Sequence, residues 1–433
     1  MKKSSERLAQ KIKERSARVA VLGLGYVGLP LAAAFAEENF TCWGVDPDEW
    51  KVKELAAGRS YIRDVAGSVI KARVLDKKLV PTSDFSRLAL ADVILVCVPT
   101  PLGKSKDPDF SFVLSAVDAI SPRLKPGRLI IIESTIYPGM TVELIGPRLQ
   151  EQTGLRPGRD FLLAMSPERI DPGNRKFTLR NTPKVVGGID GRSTRLAALL
   201  YRQIIPEVVE VSSPTAAEMA KLLENTFRQI NIGLVNEIAI ICDKLGISVH
   251  EVIDASSTKP FGFMTFYPGP GIGGHCIPVD PIYLSWKMKS LNYRARFIEL
   301  ATDINAEMPR FWVDKIQQGL NRKKKALKGA KVLLMGVTYK KDIDDLRESP
   351  VLEIIAQLFE RGAKVSYCDP YVPALEVGGR KLKSEKLGQA LVQKADCVVI
   401  ATDHSGLDYK MIAQKADLVI DTRGVYHRLA KKA

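Results

Sequence analysis

"RVAVLGLGYVGLPLAAAFAEENFTCWGVDP", residues 18–47, decides the fold. A short apolar run breaks at three glycines, resumes as a Leu- and Ala-rich stretch of helical period, and is followed by a second apolar run ending in an acid. Strand, glycine turn, helix, strand, acid is the order of a dinucleotide-binding βαβ unit. In such a unit Gly23 permits the tight turn, Gly25 lets the backbone approach a pyrophosphate, and Gly28 lets the helix pack on the sheet with its N-terminus facing the phosphates. Tyr26 and Val27 complete the turn as cofactor-binding candidates. Asp46 is placed to accept hydrogen bonds from the adenosine ribose, and its charge repels a ribose phosphate, so the expected cofactor is NAD rather than NADP. The alternative is a purely structural glycine turn.

Working outward, "ADVILVCVPT" (91–100), "RLIIIEST" (128–135) and "DFLLAMSPE" (160–168) are continuous apolar runs, as parallel strands covered on both faces should be. Thr100 and Thr135 follow two of these runs, at the carboxyl edge where such sheets bind ligands. From Thr215 to about Met308 the pattern is nearly all helical, led by a segment, 215–246, that contains no proline. So long a helix suggests a spine between domains or across a homodimer, a large buried helix being the alternative. Beyond it the first domain is echoed: "KVLLMG" (331–336) resembles "RVAVLG", "VSYCDP" (365–370) parallels "CWGVDP", and "ADCVVIATD" (395–403) matches "ADVILVCVP". The echoed turn, "GVTYKKD" (336–342), has no second or third glycine and should not bind a dinucleotide the same way. The expected fold is α/β: two Rossmann-like doubly wound domains, 1–212 and 316–433, joined by a central helical domain, 213–315.

At 433 residues, 45% hydrophobic and 26% charged, the chain is long enough for two or three packed domains. Its formal charge of +15 raises the question of nucleic acid. The densest basic run, "NRKKKALKGAK" (321–331), reads more simply as a solvated helix end, and a basic cleft for an anionic nucleotide explains the same excess. No nucleic-acid partner is expected. No apolar run reaches the roughly 18 residues that span a bilayer, and "MKKSSERLAQKIKERSAR" lacks the apolar segment of a signal peptide, so a cytoplasmic protein is expected. Six cysteines without a CxxC pair argue against disulfides and a thiolate zinc site, and His250, His404 and His427 lack ligand spacing, so no metal is expected.

"PGPGIGGHCIPVDP", residues 268–281, places Cys276 in a Gly/Pro-rich loop. A buried small hydrophobe is the bland reading of a lone cysteine. Against it, Gly273 and Gly274 leave the backbone accessible, Asp280 lies four residues on, and Lys221 and Asn225 share a face of the long helix. Thiol, amine and carboxylate beside a dinucleotide site make covalent oxidation the sharper hypothesis. His275 is given no catalytic role.

Seven motifs, "LGLGYVGLPLA" (22–32), "VPTP" (98–101), "EST" (133–135), "SPERI" (166–170), "KLLENTFRQINI" (221–232), "GPGIGGHCIPVDP" (269–281) and "KKDIDDLRES" (340–349), occur in the order found in the UDP-glucose/GDP-mannose dehydrogenase family, which the chain resembles over almost its whole length. The resemblance implies an NAD-dependent four-electron oxidation of a UDP-sugar 6-hydroxyl. Lys221 and Asn225, with a water held by Asp280, would steady the alkoxide; Cys276 would trap the aldehyde; Asp280 or Glu168 would be the base of hydrolysis, and Thr135 a water or substrate ligand. It further implies that Arg347 reaches the cofactor and that Glu168, Arg169, Lys221, Asn225, Lys259, Tyr267, Gly273 and Lys340 contact substrate, although Lys340 and Lys341 also read as a solvated charge pair. Residues 258–287 look most like the branch that oxidises UDP-N-acetylglucosamine. His275 and Val279 stand where UDP-glucose enzymes usually carry Ser or Tyr and Lys, and Pro172 stands where they tend to carry a second acid. The rival readings are UDP-N-acetylmannosamine or UDP-glucose as substrate, a two-electron hydroxy-acid dehydrogenase, and a binder of nucleotide sugar or nucleic acid without activity.

Overall fold

A computed structural model describes residues 2–103, 107–170, 174 and 176–431; Pro172 lies outside the described residues. The chain divides into two compact units, Met1–Glu224 with Ile282–Asn292, and Asn225–Pro281 with Tyr293–Ala433.

The first unit is built on eight strands: β1 (Arg18–Leu22), β2 (Thr41–Val45), β3 (Leu79–Thr82), β4 (Val93–Val96), β5 (Leu129–Ile132), β6 (Leu162–Met165), β7 (Lys184–Gly188) and β8 (Val208–Val211). Their order is β3-β2-β1-β4-β5-β6-β7-β8, and every neighbouring pair is parallel except β6 and β7. The apolar runs are continuous because both faces are covered. Val19, Val21, Leu95, Ile131 and Ala164 enter one core, while their alternates Ala20, Leu22, Ile94, Val96, Ile132 and Met165 enter another on the opposite face. Order reverses between β1 and β4, which makes the carboxyl ends of these strands the binding crevice of such a sheet. The basic N-terminal segment folds as a helix, Lys2–Lys13, that buries Leu8 and Ile12 in the first core.

The long helix, Pro214–Leu245, begins in the first unit and continues in the second. The second unit adds the helices Val249–Ser256 and Arg296–Arg322 and a four-stranded parallel sheet. Its strands are β9 (Lys331–Met335), β10 (Lys364–Cys368), β13 (Cys397–Ile400) and β14 (Val419–Asp421), in the order β10-β9-β13-β14. A small hairpin, β11 (Ala374–Val377) and β12 (Arg380–Lys383), stands beside it. Helical patterning fails at 257–279, which holds neither helix nor strand, because prolines and glycines punctuate it throughout. The basic run lies where Arg296–Arg322 ends; its lysines are exposed, and Lys323 and Lys325 pair with Asp417 and Asp396.

The echo between the two sheets extends to the turns. A Cβ on Gly23 would lie 2.5 Å from the Cys97 carbonyl oxygen, and one on Gly336 would lie 2.5 Å from that of Thr402. The acids differ. Asp369 accepts from the N–H groups of Val337, Tyr371 and Val372 and from His404, with no side-chain exposure. The Asp46 and Asp369 carboxylates are both buried and bonded to backbone N–H groups, but Asp369 carries His404 where Asp46 carries Lys51. Among the described residues no helix is long and apolar enough to cross a membrane.

Candidate active site

In the first unit the expected residues gather along one sheet edge. The glycine turn follows β1, Asp46 follows β2, Thr100 lies beyond β4, Thr135 beyond β5 and Glu168 beyond β6. Gly23 has φ +88°, and a Cβ on Gly28 would sit 1.8 Å from the Gly23 carbonyl oxygen, so the first and third glycines are required by packing. Nothing lies within 4 Å of a Cβ position on Gly25. That open backbone is the approach a pyrophosphate needs, and the residues fit a dinucleotide. Tyr26 is exposed and Val27 half-buried beside it.

The Asp46 carboxylate, buried, accepts from the N–H groups of Leu24 at 2.8 Å and Asp48 at 2.9 Å, with the Lys51 ammonium at 3.2 Å. It therefore anchors the glycine turn. Asp46→Ala should cut the NAD-over-NADP ratio of kcat/KM by about tenfold or more, the scale of one lost charge-assisted hydrogen bond. Steady-state kinetics with both cofactors checks this; comparable turnover with NAD and NADP in the unaltered enzyme would remove Asp46 from the specificity role.

Thr100 and Thr135 are half-buried, and the Thr100 carbonyl accepts from the Tyr283 hydroxyl. Glu168 is buried, and its Oε1 accepts from its neighbours' N–H groups, Arg169 at 2.7 Å and Ile170 at 2.6 Å. The Arg169 guanidinium donates to the Pro183 carbonyl at 2.6 Å and pairs with Glu224 at 2.6 Å. Lys221 is 7% exposed, one helical turn before Asn225.

In the second unit Cys276 lies in the turn that leads into the helix Asp280–Ser290, where its carbonyl accepts from the N–H groups of Val279 and Asp280 at 3.0 and 2.7 Å. Asn225 Nδ2 donates to Asp280 Oδ2 at 2.5 Å, and both side chains are buried. Among the six cysteines Cys276 alone is half-buried; the other five are buried. Burial pushes the thiols of Cys42, Cys97, Cys368 and Cys397 up, to about 12 for Cys397, which leaves them inert near neutrality.

The glycines of the loop have a different reason from the expected one. A Cβ on Gly273 would lie 2.4 Å from Tyr339 Cβ and 2.7 Å from the Glu348 carbonyl, and one on Gly274, at φ +92°, would meet the Tyr339 ring at 2.9 Å. The side a sequence reading leaves open to a sugar is filled by protein, and the loop is clamped further by the Gly274 N–H on the Arg347 carbonyl at 3.0 Å. The Arg347 guanidinium closes on Asp345, at 2.6 and 2.9 Å. Lys340 is half-buried, Lys259 is exposed over the Phe261 ring, and the exposed Tyr267 gives its hydroxyl to Asp254 at 2.7 Å.

Sequence reasoning passed over Glu133, Lys184 and Tyr201. Glu133 lies two residues before Thr135 and has no side-chain exposure; Lys184 Nζ meets its Oε2 at 2.5 Å and the Tyr201 hydroxyl donates to its Oε1. An acid inside "IIIEST", between an apolar strand and a candidate site, was the available signal. Among the described residues no group of three His, Cys, Asp or Glu is placed to hold a metal ion.

A sheet parallel from β3 to β6, with a glycine turn and an acid at its switch point, defines a dinucleotide-binding domain. Residues 17–205 match the NAD binding domain of the UDP-glucose/GDP-mannose dehydrogenase family, 215–307 its central domain and 333–428 its UDP binding domain. The chain belongs to this family, as an NAD-dependent dehydrogenase of nucleotide sugars. It is 37% identical to the UDP-N-acetyl-D-glucosamine 6-dehydrogenase of Pseudomonas aeruginosa, over 90% of each chain. It is 34% identical to a UDP-N-acetyl-D-mannosamine dehydrogenase of Methanococcus maripaludis, over 96% of this chain and 95% of that one. The solved UDP-D-ManNAc dehydrogenase of Pyrococcus horikoshii superimposes with a TM-score of 0.85 at 34% identity, covering 94% of this chain and 95% of the other.

Proposed function

We propose that this enzyme oxidises the 6-hydroxyl of UDP-N-acetylglucosamine to the carboxylate, in the cytoplasm, for surface polysaccharide synthesis. The observation that carries the chemistry is the one half-buried thiol, Cys276, held by its own carbonyl to the helix turn that presents Asp280 to Asn225. In this reading residues 1–212 bind the cofactor, 213–315 carry the thiol loop and 316–433 bind the UDP moiety.

Bound NAD supplies the hydride acceptor for both oxidations. Lys221 and Asn225 stabilise the alkoxide that forms as the hydroxyl proton leaves, Asn225 being oriented by Asp280. The Cys276 thiolate adds to the aldehyde carbon and the carbonyl oxygen takes a proton, giving a thiohemiacetal. Loss of its hydride and hydroxyl proton leaves a thioester. Glu168 or Asp280 removes a proton from water as it attacks, the C–S bond breaks, and the carboxylate departs as the thiol reforms. Thr135 holds the water or the sugar, Arg347 reaches toward the cofactor, and Lys340, Arg169, Lys259 and Tyr267 contact substrate.

For the sugar, support comes from residues 258–287 and the P. aeruginosa relative; the M. maripaludis and P. horikoshii relatives favour UDP-N-acetylmannosamine as the second reading. NADH formation across a panel of nucleotide sugars, with products weighed by mass spectrometry, tests the choice: UDP-N-acetylglucosamine should give the highest kcat/KM, and a higher value for the 2-epimer would reassign the substrate. A homodimer through the long helix is part of the same reading. Leu223, Phe227, Leu234, Ile241 and Leu245 recur along it at helical spacing and are exposed.

A further inference from the structure

The antiparallel step between β6 and β7 has a chemical consequence. Ala164 faces Gly188 and Met165 faces Gly187, and the same register carried past the strand end sets Glu168 beside Lys184, the first residue of β7. Lys184 is therefore delivered to the edge where the other strands end. Its ammonium, 3% exposed, bonds Glu133 Oε2 at 2.5 Å and the Pro167 carbonyl at 3.2 Å, and stands 3.9 Å from Glu168 Oε2. That oxygen is buried and has no hydrogen-bond donor among the described residues, while Oε1 is fixed by the Arg169 and Ile170 N–H groups. Tyr201, from the helix Gly191–Tyr201, closes Glu133 from the other side, Cys97 lies nearby at the end of β4, and Ser166 is tied to the Val185 carbonyl at 2.8 Å. Burial works against the Lys184 charge, but Glu133 and Glu168 outweigh it and hold the ammonium's pKa above its ordinary value. Burial pushes the Glu133 carboxyl up to about 7 against the pull of Lys184.

We infer that Lys184 is a positioning residue that fixes the carboxylate of Glu168 for the reaction, with Glu133 and Tyr201 holding the ammonium in place. One cation is set between two carboxylates: Glu133 binds it by a short hydrogen bond, and the longer contact holds Glu168 Oε2 by charge while leaving that oxygen without a hydrogen bond. The Pro167 carbonyl bond fixes the backbone next to the acid. This rests on the reading of Glu168 as part of the catalytic machinery.

The test is a double-mutant cycle on the full-length enzyme with NAD and UDP-N-acetylglucosamine. Lys184→Met should lower kcat by about tenfold or more, with both KM values within about twofold, and Lys184→Arg should recover most of the loss. In a Glu168→Gln background Lys184→Met should add nothing, because its effect runs through the carboxylate already removed. Lys184→Met leaves Glu133 buried without its cation and can fail to fold, so Glu133→Gln/Lys184→Met is the companion variant; it should fold, as judged by circular dichroism, and show the same kcat loss. Folded variants with unchanged kcat, or an equal loss in both backgrounds, would overturn the inference while leaving Glu168 catalytic. If Glu168→Gln alone has normal kcat, the role of Glu168 falls and this inference falls with it.

Discussion

Replacing Cys276 with Ser is expected to abolish overall turnover, by about 10³-fold or more in kcat, while a slow first hydride transfer survives. The reason is a division of labour within the site. In the proposed scheme removing the hydroxyl proton and steadying the alkoxide falls to Lys221, Asn225 and Asp280, which the substitution does not touch. In the same scheme the Cys276 sulfur traps the aldehyde and leaves as the acid is released, and a serine ester, once formed, hydrolyses more slowly than a thioester. A covalent ester on residue 276, found by mass spectrometry of the variant after incubation with substrate, would support this directly. The five buried cysteines make the wild-type control clean, because an alkylating reagent should label Cys276 first and nucleotide sugar should protect it. Normal activity in Cys276→Ala would make the loop purely structural.

Gly28→Ala is expected to destabilise the first unit by about 3 kcal/mol, the upper range for forcing a methyl into a packed site, and to abolish NAD binding. The added carbon would lie 1.8 Å from the Gly23 carbonyl oxygen and 3.1 Å from Cys97 Cβ. Gly23 cannot retreat: its N–H is bonded to the Val45 carbonyl at 2.8 Å, and its own open side is occupied by the Cys97 carbonyl. Gly25→Ala is the matched control. Its methyl meets no protein atom within 4 Å, so stability should hold while NAD affinity falls. Urea denaturation and NAD titration separate the two. Equal loss of stability in both variants, or unchanged NAD affinity in Gly25→Ala, would contradict the roles given to these glycines.

The first sheet was legible in the sequence because parallel strands buried on both faces must be continuously apolar, and because few arrangements other than a βαβ turn need glycine at 23, 25 and 28 with an acid at 46. The second sheet was legible as its echo, down to the missing glycines. The charges behind the edge were not. Lys184 reads as a surface lysine after a proline, and only the antiparallel β6–β7 register carries it across to Glu133 and Glu168. Arg347 and Arg169 were placed at cofactor and substrate through the family resemblance, and the sequence did not show that each has a carboxylate of this chain on its guanidinium, Asp345 and Glu224. Gly273 and Gly274 read as open backbone, but the space beside them is filled by Tyr339, sixty-odd residues away and beyond the reach of local pattern.

The direct measurement is the yield of NADH at completion with limiting UDP-N-acetylglucosamine. Each oxidation, alcohol to aldehyde and thiohemiacetal to thioester, releases one hydride, and hydrolysis releases none. Two moles of NADH per mole of sugar, with the uronic acid as product, is the expected result; one mole per mole, with an aldehyde or ketone released, would contradict a four-electron reaction through Cys276.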